Sequence, residues 1–211
     1  MPEYSRSDPS PRYRALVDLN RQMHEDGDAR HGIPAADTFD GRSLKPHVAI
    51  IKGLVDRLGA KTLLDYGAGK GEGYSKAAVR LPDGRVLNGL KEIWGLDRVT
   101  LYDPGYAPHA RLPEGSFDAV ISTDVLEHCP EEDIPWIIDE IFGYARRFVF
   151  VTIALYPAAK SLPTGENAHI TLKSVGWWTD RLEAALARHP GRRYFASVAP
   201  QNQGRKILIE G

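Results

Sequence analysis

Residues 61–71, KTLLDYGAGKG, decide how the rest of the chain is read. Thr62, Leu63 and Leu64 make a short apolar run with a β-branched start, the pattern of a strand buried on both faces of a sheet. Gly67, Gly69 and Gly71 then remove side chains from the following turn. In an open α/β sheet that turn, at the carboxyl end of the first strand, is where the backbone comes closest to a ligand. Asp65 stands just before the loop and Glu72 just within it, so a ligand there meets two carboxylates.

On the amino-terminal side, PHVAIIKGLVDRLGA opens with Pro46, carries Val48, Ile51, Leu54, Val55 and Leu58 on one face, and stops at Gly59, which predicts a helix. Before it, residues 27–45 are rich in Gly, Pro, Asp and Ala and long enough for a lid or binding loop. RYRALVDLNRQMHED places Tyr13, Leu16, Val17, Asn20 and Met23 at helical spacing. Residues 1–10 are polar and proline-bearing, and are expected to be a disordered tail.

On the carboxyl side, YSKAAVRL predicts a second helix, and residues 81–96 add a turn and a short helix with the apolar stripe Leu90, Ile93 and Trp94. RVTLYD and FDAVISTD predict strands. PEEDIPWIIDEIFGYA begins with proline and three acids suited to the positive end of a helix, and RRFVFVTIAL is the most apolar strand of the chain. SVGWWTDRLEAALARH predicts a helix capped by Ser174; RRYFASVAP and RKILIEG predict a terminal antiparallel pair. Strands alternating with helices predict an α/β fold with a doubly wound, mostly parallel sheet.

A chain of 211 residues is most economically one domain. With 42% hydrophobic residues, 26% charged residues and a net charge of −1, its composition is ordinary, and there is no global field to attract a nucleic acid backbone. The first residues are charged and proline-bearing where a signal peptide needs an apolar core, and no stretch approaches the roughly 20 apolar residues of a membrane span. The expectation is a cytoplasmic protein without a membrane or nucleic acid partner. Cys129 is the only cysteine, which excludes an internal disulfide and a multi-cysteine metal site; it reads as a small buried apolar residue.

The glycine loop departs from the dinucleotide fingerprint, because the sixth residue counted from Gly67 is Glu72 and a pyrophosphate would face Asp65 and Glu72. An ammonium-bearing ligand suits the same residues. LLDYGAGKG resembles motif I of the class I S-adenosylmethionine-dependent methyltransferases, an acid, one residue, then Gly-x-Gly-x-Gly. LPEGSFDAVISTDVLEH, residues 112–128, resembles the fourth-strand segment of that family, and RRFVFVTIA its fifth strand. The resemblance covers about residues 45–155. It implies a Rossmann-like core over residues 61–211, preceded by a helical cap or lid over residues 11–60. That segment carries His24, Arg30, His31, Lys45 and His47, and a helical extension packed on the sheet is the other reading. The implied cofactor is S-adenosyl-L-methionine. Asp65 would hold its amino group, Gly67, Ala68 and Gly69 would line its methionine and ribose moiety, and Asp103 would accept the ribose hydroxyls. Tyr66, Tyr102, Pro104 and Thr123 complete the implied set, with Asp118 and Asp124 as the acids at the start and end of the fourth strand.

Two features depart from the family. Between Asp103 and Phe117 stand 13 residues, three of them proline, too few for a strand and its crossover helix. The third, edge strand is therefore expected to be missing or vestigial, with Tyr102, Tyr106 or residues near Arg111 covering the adenine. From Gly67 to Asp103 the gap is 36 positions, against about 20 in dinucleotide folds. Asp103-Pro104-Gly105-Tyr106 is also one residue from the Asp-Pro-Pro-Tyr amino-group clamp of some methyltransferases. That clamp belongs after the fourth strand, where STDVLEH stands, so the likeness reads as coincidental.

The implied reaction is methyl transfer to an oxygen or nitrogen of a small molecule. His128, in LEH, reads either as a structural turn histidine or as a catalytic group; His169, in LPTGENAHIT, reads either as a base or acceptor-binding residue or as a solvated loop histidine. Asp124, Glu127, Asn167 and His169 are of types that bind magnesium, but nothing in their spacing demands it, and no metal is expected. Phe39, Tyr156, Trp177 and Trp178 are candidates for an apolar acceptor pocket, one tryptophan being core. A nicotinamide-dependent oxidoreductase and a non-catalytic methyltransferase-like binding protein are the alternatives.

Overall fold

The computed structural model describes residues 4–201, 204 and 206–211. Helix α1 (Pro11–Asp26) and 3-10 segments at Ala35–Asp37 and Arg42–His47 lead into α2 (Val48–Leu58) and strand β1 (Thr62–Tyr66). Then come the short α3 (Gly73–Lys76), β2 (Ala78–Arg80), β3 (Val86–Asn88), α4 (Gly89–Trp94) and β4 (Arg98–Tyr102). Strand β5 (Phe117–Thr123), α5 (Ile134–Tyr144), β6 (Ala145–Ala154), α6 (Val175–Arg188), β7 (Arg193–Ala199) and β8 (Ile207–Glu210) complete the chain.

Six strands form one sheet in the order β4-β1-β5-β6-β7-β8, with only β8 antiparallel, against β7. The expected terminal pair is present; Arg205 of its sequence lies outside the described residues. Successive strand residues face opposite layers. Leu64, Val120 and Val149 pack with Ile137, Ile138 and Ile141 of α5 and Trp178 and Leu182 of α6. Leu63, Ala119, Ile121, Phe148 and Phe150 pack with Ile51, Leu54 and Val55 of α2 and with Leu90 and Trp94 of α4. The sheet is thus wound on both faces, which is why β1, β5 and β6 read as unbroken apolar runs. Ser174 caps α6 as expected, accepting a bond from the Trp177 N–H at 3.2 Å.

Three expectations are corrected. Residues 74–81 do not form a second helix: α3 is one turn of four residues, and Ala78–Arg80 pairs with Val86–Asn88 as a separate hairpin. Pro82-Asp83-Gly84 supplies the turn, with the Leu81 N–H bonded to the Arg85 carbonyl at 2.8 Å, and this local turn chemistry overrides the weak helical pattern.

Residues 4–10 are not a disordered tail. The Arg6 guanidinium donates to Glu140 at 2.6 Å and to the Tyr66 hydroxyl at 2.6 Å, and lies 4.7 Å above the Trp136 ring. Ser10 is buried, its N–H donating to Asp133 at 3.0 Å while its hydroxyl caps α1 through the Tyr13 N–H. A paired, stacked arginine outweighs the entropy that composition alone suggests. Residues 1–3 of that tail lie outside the described residues.

Nor does the cap extend to residue 60. Residues 11–44 contribute to the cavity described below, whereas α2 is part of the layer on the sheet. Between β4 and β5 the described chain holds only a 3-10 turn at Ala107–His109, and β4 is the edge of the sheet. Among the described residues no helix is long and apolar enough to cross a membrane.

Candidate functional site

The carboxyl ends of β1, β4 and β5 open into a cavity with about 1060 Å³ of empty volume, including its mouth. Asp65, Tyr66, Gly67, Ala68, Gly69, Asp103, Pro104, Thr123, Asp124 and His128 all line it, so ten of the residues singled out in the sequence converge on one space. This is the crevice that a parallel sheet leaves where its strands end.

The glycine loop is built for close approach. Gly67 has φ of 85°, and a Cβ there would lie 2.3 Å from the Val125 side chain after β5. Gly69 has φ of 55°, and its Cβ would lie 2.2 Å from the Phe39 carbonyl oxygen of the cap. The loop is laced to that cap: Lys70 N–H donates to the Phe39 carbonyl at 2.7 Å and Glu72 N–H to the Asp40 carbonyl at 3.1 Å. The Lys70 ammonium donates to the carbonyls of Ala35 and Thr38 at 2.7 and 2.6 Å. On the other side His109 donates from Nδ1 to the Gly69 carbonyl at 2.9 Å. Sequence reading missed Lys70 and His109. A lysine inside a glycine-rich turn was the available signal for the first, and nothing local marks the second.

Two carboxyls stand at the strand ends beside the loop. Asp65 is buried; its Oδ2 accepts from the Tyr74 hydroxyl at 2.8 Å, and its Oδ1 has no partner among the described residues. Burial pushes this carboxyl up to about 7, with the nearby Asp103 adding to the rise and the Tyr74 bond opposing it. Asp103 is held by two backbone donors, Gly69 N–H on Oδ2 and Gly105 N–H on Oδ1, each at 2.9 Å, and burial raises it as well. Each oxygen keeps a second lone pair for a ligand donor.

At the end of β5, Asp124 adopts the left-handed φ of 54°, rare without glycine. Its N–H donates to the Thr152 hydroxyl at 2.9 Å, and that hydroxyl donates back to its Oδ1 at 2.8 Å. The paired bonds hold the acid in a conformation it would otherwise avoid, and its side chain is exposed into the cleft. Glu127, fully buried, accepts from the Ala154 N–H at 2.7 Å and keeps Oε2 unpaired; burial raises it to about 8, with Asp124 adding to the rise.

His128 and His169 come together, ring centroids 4.8 Å apart and edge to face. Their Nδ1 atoms face carbonyls, Ala168 at 2.8 Å and Tyr156 at 2.6 Å. A carbonyl only accepts, so each Nδ1 carries the proton and each Nε2 is the acceptor. Burial holds His128 at about 3; burial also lowers His169, opposed by the Tyr156 carbonyl and by Asp124. Only His128 lines the cavity; His169 lines a neighbouring surface groove with Arg12, Glu131, Glu132 and Glu166.

Several expected residues are elsewhere. Tyr102 does not line the cavity: it is buried against the Tyr66 ring at 5.0 Å beneath Arg6. Tyr106 stacks on His24 at 4.7 Å and also stays out of the lining. Of the aromatic acceptor candidates only Phe39 reaches the cavity; Trp178 is core, Trp177 lies under the Arg181 guanidinium at 3.3 Å, and Tyr156 meets His169. Asp118 sits at the opposite end of the sheet, accepting from the N–H groups of Lys61 and Thr62 at 2.9 and 3.0 Å. His24 lines the cavity, while His47 is buried beside Phe150 and Lys206. The cap contribution from Tyr13, Leu16, Val17 and Asn20 of α1 was not assigned from sequence, although their helical stripe was visible.

Among the described residues no group of three or more His, Cys, Asp or Glu is placed to hold a metal ion. No protein-family model, no curated protein and no solved structure matches the chain.

Proposed function

We propose that the chain is a class I S-adenosylmethionine-dependent methyltransferase acting on an oxygen or nitrogen of a small molecule. One observation carries the reading: a buried carboxyl, Asp65, and a half-buried one, Asp103, flank a glycine loop, and Asp65 has an oxygen with no partner. A buried acceptor without a donor costs about 1–3 kcal/mol, and a ligand ammonium would satisfy it and return the carboxyl to its charged form. The residues therefore fit S-adenosyl-L-methionine. Asp65 would take its amino group, the backbone from Gly67 to Gly69 its methionine and ribose moiety, and Asp103 its ribose hydroxyls. In this reading the short Asp103–Phe117 connection stands where relatives in the family carry a third strand.

A pyrophosphate is poorly served here. It would face Asp65 and Asp103, and the helix after the loop is a single turn with little dipole to offer. That argues against a nicotinamide cofactor.

The cofactor, when bound, supplies an electrophilic methyl group; the chain's own task is alignment and proton management. Asp124, locked by Thr152, gives the acceptor a fixed carboxylate at the mouth of the cleft. His128, neutral and anchored through Nδ1, offers Nε2 as an acceptor for the substrate's O–H or N–H. Of the two histidines His169 is the better proton sink: burial lowers both, but the charge facing His169, Asp124, favours its charged form, whereas the charges facing His128, His169 and Lys160, oppose it and only the Ala168 carbonyl favours it.

A thermal-shift series with S-adenosylmethionine, S-adenosylhomocysteine and NAD tests the reading. Both adenosyl compounds at about 100 times their Kd should raise the melting temperature by roughly 5–10 °C, and NAD should not. Asp103→Ala should abolish the shift. No shift with either adenosyl compound sinks the proposal. A shift without methyl transfer to any of a panel of phenols, carboxylates and amines would favour a binding protein over an enzyme.

A further inference from the structure

The slot beyond Asp103 is walled not by the sheet but by α1. β4 is the sheet edge, and no strand of the described chain covers its outer side near the cavity. Along α1, Tyr13, Leu16, Val17, Asn20 and His24 follow the 3-, 4- and 7-residue spacing of one helix face, and all five line the cavity. The helix is anchored at both ends. Ser10 ties its start to Asp133, the Thr38 hydroxyl donates to the Met23 carbonyl at 2.8 Å, and His24 is clasped between the rings of Phe39 and Tyr106.

Asn20 lies where the wall meets the turn after β4. A Cβ placed on Gly105, two residues beyond Asp103, would stand 3.1 Å from the Asn20 Cβ, so the helix rests directly on that turn. The Asn20 amide is half-buried and has no side-chain hydrogen bond among the described residues. Val125 and Ile137, both apolar, also line the cavity, and His24 Nδ1, on the same face of α1, has no partner among the described residues. Apolar lining with an unpartnered amide beside the turn after Asp103 suits a flat heteroaromatic ring that presents a donor beside an acceptor, which is how an amide pairs with adenine.

Resting on the proposed cofactor class, we propose that α1 is the base-reading element of the nucleoside site and that Asn20 hydrogen-bonds the amino-bearing edge of the adenine. The cap then does more than exclude water. It supplies the specificity that would otherwise come from the sheet, and ligand binding and cap order become one event.

The test is a cycle of two proteins and two ligands, wild type and Asn20→Leu against adenosine and purine riboside, which lacks only the exocyclic amine. Affinities are measured by calorimetry. Wild type should prefer adenosine by about tenfold, and Asn20→Leu should bind the two nucleosides equally. Asn20 is partly exposed, so Asn20→Leu should melt as the wild type does without ligand. Hydrogen exchange adds a readout that does not need the variant: residues 11–26 should slow when S-adenosylhomocysteine is added to the wild type. Equal affinities in the wild type, a preference that survives in Asn20→Leu, or unchanged exchange in α1 despite binding would each overturn the inference while leaving the cofactor class standing. Failure of the wild type to bind any adenosyl compound would instead remove the proposed function itself.

Discussion

Acids at the two ends of the sheet live under opposite electrostatic conditions. At the amino end Asp118 accepts from two backbone N–H groups and the Thr62 hydroxyl, and it pairs with Arg146 and Arg147. Burial raises it, but these donors more than offset that, and it stays below the ordinary aspartate value. At the carboxyl end Asp65, in the cavity lining, and Glu127, fully buried outside that lining, each have one bonded and one unpaired oxygen, no arginine or lysine lines the cavity, and both are raised. A protein gains stability from the first arrangement and loses it in the second. An under-satisfied acid kept in a cleft, as Asp65 is, therefore marks where a ligand completes the bonding.

The largest effect should come from exchanging the fates of the two ends. Asp118→Ala strips donors on two strands of their acceptor and should cost about 3 kcal/mol in urea unfolding, while the affinity for S-adenosylhomocysteine stays unchanged. Asp65→Asn removes a buried charge and should leave stability equal or higher at pH 8 while weakening the ligand at least tenfold. Equal destabilisation by both would erase the distinction.

The pH profile sharpens it further. A carboxyl raised in the folded state is protonated there before it is in the unfolded chain, so its contribution falls as pH rises: from about 4 to about 7 for Asp65 and on to about 8 for Glu127. Each group should remove up to about 1.4 kcal/mol per pH unit inside its window. Asp118, lowered in the folded state, works in the other direction, and its stabilisation is lost only below the ordinary aspartate range. Below the ordinary histidine range the opposite trend of His24, His47 and His128, all lowered by burial, offsets this loss, so the acids show alone only above it: melting temperatures from pH 7 to 8 should decline, with a shallower slope in Asp65→Asn. A rising profile in that interval would contradict the buried state of these acids.

The smallest effect concerns the cap. Lys70→Met deletes the ammonium bonds to Ala35 and Thr38, and exchange of amides 35–40 should quicken by about tenfold, with global stability lower by about 1 kcal/mol. Unchanged exchange would mean that the main-chain lacing at Phe39 and Asp40 suffices.

How much of this was legible beforehand varies with the range of the interaction. β1, β5, β6, α5 and α6 were readable because period and capping are local. Ser174 caps its own helix three residues away, and Leu63 and Leu64 alternate whatever lies on either side. The hairpin at 78–88 was misread because alanine-rich local propensity competed with a turn whose effect depends on a partner strand. Arg6 escaped notice for a different reason: its three partners, Glu140, Tyr66 and Trp136, are all distant in sequence.

From sequence alone, the alternation of strands and helices, the glycine loop after β1, and the acids at strand ends were determined, since backbone geometry and burial impose those patterns residue by residue. Only the tertiary structure decided that the Phe39 carbonyl sits on Gly69, that His128 and not His169 faces the cavity, and that α1 stands against Gly105 at the sheet edge. Those facts follow from packing between segments far apart in the chain, where shape and unpaired polar groups, and no local rule, select the neighbour.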